Sequence, residues 1–290
     1  MIVDAHFHCW HLARGDYGWL TPALAPIYRD VGVADWYEQA APHGVACGIL
    51  VQAAPTEAET AFLLAQGRAH AMVAGVVGWV DMLAPAAAAR VRQLATNPLL
   101  KGLRPMLQDI ADLRWVLMPA LKPALDAMTE CGLVFDALVK PEHLPHILDL
   151  AQRHPALRIV IDHAAKPGIA QGQWQPWADD LARIADRTSA MCKLSGLFTE
   201  AERPLGSDAV RRWATHALAC FGPGRVVWGS DWPVLELAAG YAAWWCETQE
   251  LLAGFTAPER DAVLGGNAEQ FYGIPRSTHV GPSGDEAGTR

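Results

Sequence analysis

The chain has no Cys-x-x-Cys pair, no Gly-x-Gly-x-x-Gly behind its first apolar run, no Gly-x-x-x-x-Gly-Lys and no long hydrophobic segment. The missing glycine patterns argue against a dinucleotide-binding Rossmann fold and against phosphate-loop chemistry. Its longest apolar stretch, Ala71 to Val80, runs ten residues, too short to cross a bilayer. Neither a basic n-region nor an apolar leader core precedes the first apolar run at Ile2, so no secretory signal is expected. The six cysteines (Cys9, Cys47, Cys131, Cys192, Cys220 and Cys246) are scattered. In a chain of this size that reads as reduced thiols and a cytoplasmic location. Positive charge is also in short supply. A net charge of −8 argues against nucleic acid or an anionic membrane as partner, and leaves any anionic ligand to local Arg or Lys.

What is present is ordinary for a soluble globular protein: 51% apolar and 19% charged residues. The length of 290 residues exceeds one common core, but α/β barrels of about 250 residues form one domain. Short apolar, β-branched runs recur along the chain. The candidate strands are Ile2–His8, Cys47–Ala53, Val73–Val80, Leu100–Met106, Leu133–Val139, Leu157–His163, Met191–Ser195 and Val226–Asp231. Between them, Thr56-Glu57-Ala58-Glu59 reads as a capping box opening a helix towards His70. Ala84–Thr96, Pro119–Cys131, His143–His154, Trp177–Arg187 and Asp208–Phe221 also read as helices, the last with Ser207 as N-cap and Gly222-Pro223-Gly224 as its stop. Eight β–helix alternations favour a (β/α)8 TIM barrel over a doubly wound sheet. Trp10–Trp36 is a long loop, of the kind that forms lids or binding elements. Pro275–Arg290 is Gly/Ser/Pro-rich and reads as a disordered tail behind a barrel domain spanning 1–274.

Residues i and i+2 of a strand share a face, so Asp4, His6 and His8 are expected on one side of the first strand. Cys9 would then face away. Catalytic groups of such barrels sit at the C-terminal strand ends. Those ends offer His6 and His8, Gln52, Asp81, Arg104, Asp136, Asp162 and His163, Lys193 and Ser195, and Ser230 and Asp231. Imidazoles with a carboxylate suit Zn²⁺ or a similar ion. Without metal, the same groups can polarise a carbonyl and deprotonate water.

Three motifs carry a resemblance: Asp-Ala-His-Phe-His at the start, Ile-Asp-His-Ala-Ala-Lys-Pro in the middle and Gly-Ser-Asp-Trp-Pro near the end. Lys101-Gly102-Leu103-Arg104-Pro105, Cys192-Lys193-Leu194-Ser195-Gly196 and Gly266-Asn267-Ala268 extend it. Over residues 1–274 the chain resembles the amidohydrolase superfamily, in the branch of amidohydrolase-related lactonases that act on L-fuconolactone, L-rhamnonolactone or pyrone-dicarboxylate lactone. The resemblance implies a distorted (β/α)8 barrel of amidohydrolase type and hydrolysis of a cyclic ester. It implies Asp231 as the base for the attacking water and His163 as the group that polarises the carbonyl or ligates metal. His6 and His8 would hold metal or the ester oxygen. His6, His8, His163 and Asp231 are thus both the catalytic set and the candidate ligands of one divalent ion, Zn²⁺. A metal-independent mechanism stays open, because no strand offers the bridging lysine of a binuclear centre.

Arg104, Lys193, Gln52, Trp19 and Trp232 are candidate substrate contacts. Arg104 can fork onto a carboxylate or hydroxyls, Gln52 can bond hydroxyls, and the indoles can face a sugar ring. Their alternative readings are structural: ion pairs for Arg104 and Lys193, a strand-end cap for Gln52, core packing for the indoles. His11, His43, His70, His143, His146, His154, His216 and His279 are assigned no chemistry. The expected activity is opening of a neutral aldono-lactone, a small molecule, to its acid. The alternative on the same barrel is a metal-dependent decarboxylase of an aromatic or unsaturated acid. Assembly into a homo-oligomer is left open.

Overall fold

In the structure, a computed structural model, residues 1–201 and 207–275 are described, with the side chains of Ser207 and Asp208 excepted. The expectations for Ser207 as N-cap and for the tail beyond Pro275 lie outside the described residues. Eight strands form one parallel sheet in chain order: β1 Ile2–Phe7, β2 Val45–Val51, β3 Val73–Gly78, β4 Leu100–Leu103, β5 Val134–Ala137, β6 Arg158–Ile161, β7 Met191–Leu194 and β8 Val226–Trp228. They read as apolar runs because a parallel sheet is covered on both faces. Val3, Ala5, Ile49, Val51, Val77, Val134, Val160 and Val227 fill the barrel interior. Around it lie α1 Val33–Ala40, α2 Glu57–Ala69, α3 Ala87–Ala95, α4 Lys122–Glu130, α5 Leu144–Arg153, α6 Trp177–Arg187, α7 Ser207–Phe221, α8 Tyr241–Leu251, α9 Ala257–Asp261 and α10 Asn267–Phe271. The buried face of α6 carries Trp177, Leu181 and Ile184, the i, i+4, i+7 stripe of a surface helix.

Every strand is found near its expected place, and all eight stop short of the expected C-terminal end. The ladder ends where the chain turns to direct polar side chains across the mouth. The barrel closes through such turned residues rather than through β8 itself. Asp231 N–H donates to the His6 carbonyl and His8 N–H to the Trp232 carbonyl, both at 2.8 Å. Gly229 makes that approach sterically feasible, since a Cβ there would stand 2.8 Å from His6 Cβ.

Three local expectations are corrected. Asp4 does not share a face with His6 and His8. A register shift between Asp4 and Phe7 interrupts the β1–β2 ladder, and an irregularity of this kind re-aims side chains. Asp4 therefore faces the helical layer, where it accepts from Ser230 N–H (2.8 Å), Ser230 Oγ (2.6 Å), Trp36 Nε1 (2.9 Å) and Tyr241 Oη (3.0 Å). It is a buried buckle between β1, α1, α8 and the segment after β8. Second, Thr56 Oγ1 accepts from Glu59 N–H at 3.0 Å, but the Glu59 carboxylate turns to the N–H groups of Ala53 and Ala54. Only half of the capping box forms, and Glu59 pins the loop after β2. Third, the long loop ends at Gly32, because Val33–Ala40 is helical. Its base is stapled by Trp10 and Val31, each donating its N–H to the other's carbonyl at 2.9 Å, and Tyr17, Leu20 and Ile27 are buried within it. That packing makes it a fixed wall.

Candidate active site

The motif residues converge at the C-terminal mouth of the barrel. His8 Nδ1 lies 2.8 Å from the Val51 carbonyl oxygen, which only accepts, so Nδ1 carries a hydrogen and Nε2 faces the mouth. That Nε2 is 3.2 Å from His6 Nε2 and 3.2 Å from Asp231 Oδ1. His6 Nε2 and His163 Nε2 stand 3.6 and 3.8 Å from the same carboxylate oxygen. Three imidazoles thus ring one carboxylate, and all four residues are buried.

Two of these residues hold unusual backbone. His163 has φ 52°, the next three residues are also left-handed, and Asp231 has φ 59°. Such conformations cost non-glycine residues of order 1 kcal/mol or more each and cluster at functional sites. The turn after β6 swings His163 over the mouth, where its Nδ1 lies 2.9 Å from Ser195 Oγ. Gly196 is needed beneath it: its φ is +64°, and a Cβ would lie 2.6 Å from His163 Nδ1.

Burial alone would raise the Asp231 carboxyl, but the surrounding His163, His8 and His6 outweigh it and hold the group well below the usual carboxylate range. Burial lowers His163 to about 4 against the pull of Asp231 and Asp162. Burial, then the Lys193 charge, also holds His6 well below its ordinary value. At neutral pH the site therefore presents an ionised carboxylate beside neutral His6 and His163.

Beneath this ring lies a buried charge layer. Lys193 is fully buried and forms a short ion pair with Asp136, with Asp162 Oδ1 at 3.0 Å and His6 Nδ1 at 3.1 Å. Arg104 sits 3.3 Å from Asp162 Oδ2 and donates to the Gln52 carbonyl; Gln52 Nε2 donates back to the Arg104 carbonyl at 2.7 Å. Asp162 is held well below the carboxylate range, since Lys193, His6 and Arg104 overcome its burial, whereas burial lifts Asp136 to about 6 against Lys193.

The mouth opens into a cavity of about 260 Å³ lined by His8, Trp19, Arg104, His163, Lys166, Glu200 and Asp231, among others. A wider space of about 580 Å³, sharing Trp19, Met106 and Asp109 with it, continues past Trp79 and Trp115. Of the five expected substrate contacts, Arg104 and Trp19 line the inner cavity. Lys193 and Gln52 do not reach it. Both are fully buried, because buried Asp136 and Asp162 claim the ammonium and the Arg104 backbone claims the amide. Trp232 is turned away as well: it is buried in the core, with Arg29 over its ring and Nε1 donating to Glu236 at 2.8 Å. Lys166 and Glu200, 4.0 Å apart on the cavity wall, were not singled out from the sequence. Lys166 closes the Ile-Asp-His-Ala-Ala-Lys-Pro motif, and both residues lie in the loops following β6 and β7.

The donor atoms of His6, His163 and Asp231 lie within 4.8 Å of one another, so this cluster could hold a divalent ion. The separations of 3.2 to 3.8 Å around Asp231 compare with about 3.4 Å between ligands of tetrahedral zinc. The polarity around His6 is wrong for that role. A metal-ligating imidazole gives its far N–H to an acceptor, whereas His6 Nδ1 meets the Lys193 ammonium, and Arg104 Nη1 stands 3.3 Å from His6 Nε2. The site fits a cation in ligand type and spacing and not in charge, so no step is assigned to a metal.

A family model described as Amidohydrolase matches residues 3–274. An L-fucono-1,5-lactonase of Burkholderia ambifaria is 44% identical over 290 residues, covering 98% of this chain and 98% of that protein. An L-fucono-1,5-lactonase of Burkholderia multivorans is 34% identical, covering 94% and 96%. Among solved structures, an amidohydrolase from Burkholderia multivorans described with bound zinc superposes with a TM-score of 0.89 at 34% identity, covering 95% of this chain and 100% of that one.

Proposed function

The chain belongs to the amidohydrolase family, and from that premise we propose that it is a lactonase opening the ring ester of a neutral sugar lactone, of L-fucono-1,5-lactone type, to the hydroxy acid. Its relatives of that name and the placement of Asp231 amid three imidazoles support the reading. One observation narrows the substrate. Among the described residues, every cation at or beneath the inner cavity faces a carboxylate: Arg104 faces Asp162, Lys193 faces Asp136 and Asp162, and Lys166 faces Glu200. A pocket whose described cations are all paired, which adds the carboxylates of Asp231 and Asp109 and has an indole wall, suits a hydroxylated, uncharged ring and disfavours a dicarboxylate. The same lack of a spare cation among the described residues argues against the decarboxylase alternative, which needs a carboxylate-bearing substrate.

In the mechanism, Asp231 takes a proton from water as the water oxygen attacks the lactone carbonyl carbon. The carbonyl oxygen gains charge and is met by the His163 N–H on the cavity wall and, once its contact with His8 opens, by the N–H of the fully buried His6, with Arg104 adjacent. The tetrahedral intermediate collapses, the ring C–O bond breaks, and the proton on Asp231 passes to the leaving ring oxygen. Asp231 is ionised for the first step because its neighbours depress its proton affinity. That makes it a weak base, adequate for an activated ester. His8, with Nδ1–H fixed on the Val51 carbonyl, packs its Nε2 edge 3.2 Å from the carboxylate.

Residues 1–274 are taken as the one barrel domain of this activity. A cytoplasmic location is supported by the six free thiols. A pH-indicator assay over fucono-, rhamnono-, galactono- and arabinono-lactones, with a pyrone dicarboxylate as the charged counterpart, tests the reading. Turnover of one or more neutral lactones is expected. Silence across them, or preference for the dicarboxylate, overturns it.

A further inference from the structure

A fully buried lysine behind a catalytic histidine has consequences for where the histidine's proton sits. Lys193 Nζ has three acceptor atoms around it: Asp136 Oδ2, Asp162 Oδ1 at 3.0 Å and His6 Nδ1 at 3.1 Å. An ammonium has three N–H donors and no lone pair, so its contact with His6 Nδ1 requires that nitrogen to accept. The carboxylate that would compete for a proton on Nδ1, Asp162, keeps Oδ1 3.7 Å away, beyond hydrogen-bond reach. Tyr272 Oη anchors the layer from below, donating to Asp136 at 3.0 Å.

We propose that Lys193 is a positioning residue that fixes neutral His6 as the Nε2–H tautomer, making it a hydrogen-bond donor in the mouth and a poor metal ligand. The front of the ring agrees. His8 Nδ1 is committed to the Val51 carbonyl, so His8 Nε2 offers a lone pair, and His6 Nε2 lies 3.2 Å from it. The proton order is then Lys193 to His6, His6 to His8, and His8 to Val51; Arg104 Nη1, 3.3 Å from His6 Nε2, is the one neighbour that this order leaves hydrogen to hydrogen, against the nearer Lys193 and His8 contacts that it satisfies. His6 is fully buried behind His8 and Arg104, so its Nε2–H turns from His8 to the ester oxygen only as those side chains part for the substrate. A resident divalent ion would need the opposite tautomer, with Nδ1–H facing an ammonium. The function of Lys193 is therefore to select hydrogen-bond activation over metal ligation at this histidine. Naming the acceptor as a lactone carbonyl rests on the proposed function; the tautomer does not.

The test is ¹⁵N–¹H correlation of the imidazoles in the full-length, histidine-labelled enzyme at neutral pH without substrate, with His6 assigned from the signals absent in H6Q. The wild type is expected to show His6 Nε2 protonated and Nδ1 bare; the reverse overturns the proposal. The charge-balanced double variant K193M/D136N removes the ammonium with one of its carboxylates. It is expected to move the His6 proton to Nδ1, lower kcat about 100-fold, the scale of one lost oxyanion donor, with KM within about threefold, and take up added Zn²⁺ at least tenfold more tightly. An unchanged tautomer in the folded variant overturns the role of Lys193. If the variant does not fold, the wild-type spectrum still decides. A correct tautomer in a chain that opens no lactone would sink the lactonase reading alone.

Discussion

Replacing Arg104 by methionine should lower kcat by two to three powers of ten while leaving KM little changed. The guanidinium lines the inner cavity with its Nη1 3.3 Å from His6 Nε2, and we take the lactone oxygen beside it to lie roughly 4 Å from the positive charge. Two unit charges at about 4 Å and an effective dielectric near 20 interact by about 4 kcal/mol. That figure is an upper bound, because part of the Arg104 charge is spent on Asp162. At about 1.4 kcal/mol per tenfold, the loss is about 10² to 10³. The carbonyl carries little charge before attack, so the ground state loses less than the transition state, and the effect belongs in kcat. Folding suffers too, by about 3 kcal/mol, because the Gln52 carbonyl loses its donor and Asp162 keeps only Lys193. Rates are therefore to be measured well below the variant's own melting temperature, with circular dichroism as control. R104K keeps the charge without the fork and should recover about tenfold. A folded R104M with kcat within threefold of wild type would refute the electrostatic role and leave Arg104 as a structural ion pair.

G196A forces a left-handed alanine whose Cβ would stand 2.6 Å from His163 Nδ1. It should cut kcat/KM at least tenfold in a protein that still folds, read by steady-state kinetics beside a melting curve. His163 is held at about 4 by burial, so the acid limb of kcat/KM should fall near that pH as the ring gains a proton, not near 6.5; a limb at 6.5 would place His163 in an ordinary environment. D4A removes the acceptor shared by Ser230, Trp36 and Tyr241. At about 1–3 kcal/mol per stranded buried donor, denaturant unfolding should show a loss of at least about 3 kcal/mol.

The barrel was legible because its strands are apolar, β-branched runs and because polar residues punctuate their C-terminal ends. His6, His8, His163 and Asp231 meet for that reason alone: in a barrel, residues 223 positions apart, such as His8 and Asp231, share one mouth. Gly-Ser-Asp was legible as a motif, and its physical content emerged only in three dimensions. Gly229 admits His6, Ser230 holds Asp4, and Asp231 closes the barrel. The orientation of Asp4 was not readable, because a one-residue irregularity flips alternation without altering the pattern of residue types. Lys193 and Gln52 looked like substrate contacts because position along a strand does not say what charge lies underneath. Helix α8 escaped notice because its buried positions include Glu247 and Thr248, which blunt the apolar period. Lys166 and Glu200 sit in βα loops, whose course follows from packing and not from local pattern.

Asp231 as the base for water is the central claim, and D231N tests it most directly. The amide is nearly isosteric and its Nδ2–H can donate to the bare His8 Nε2, so substrate should bind while the proton has nowhere to go. Steady-state opening of L-fucono-1,5-lactone by wild type and D231N, with binding measured by calorimetry, is the measurement. The account predicts a loss in kcat of at least about 10² with affinity within a few-fold. Turnover by D231N at close to the wild-type rate would contradict it.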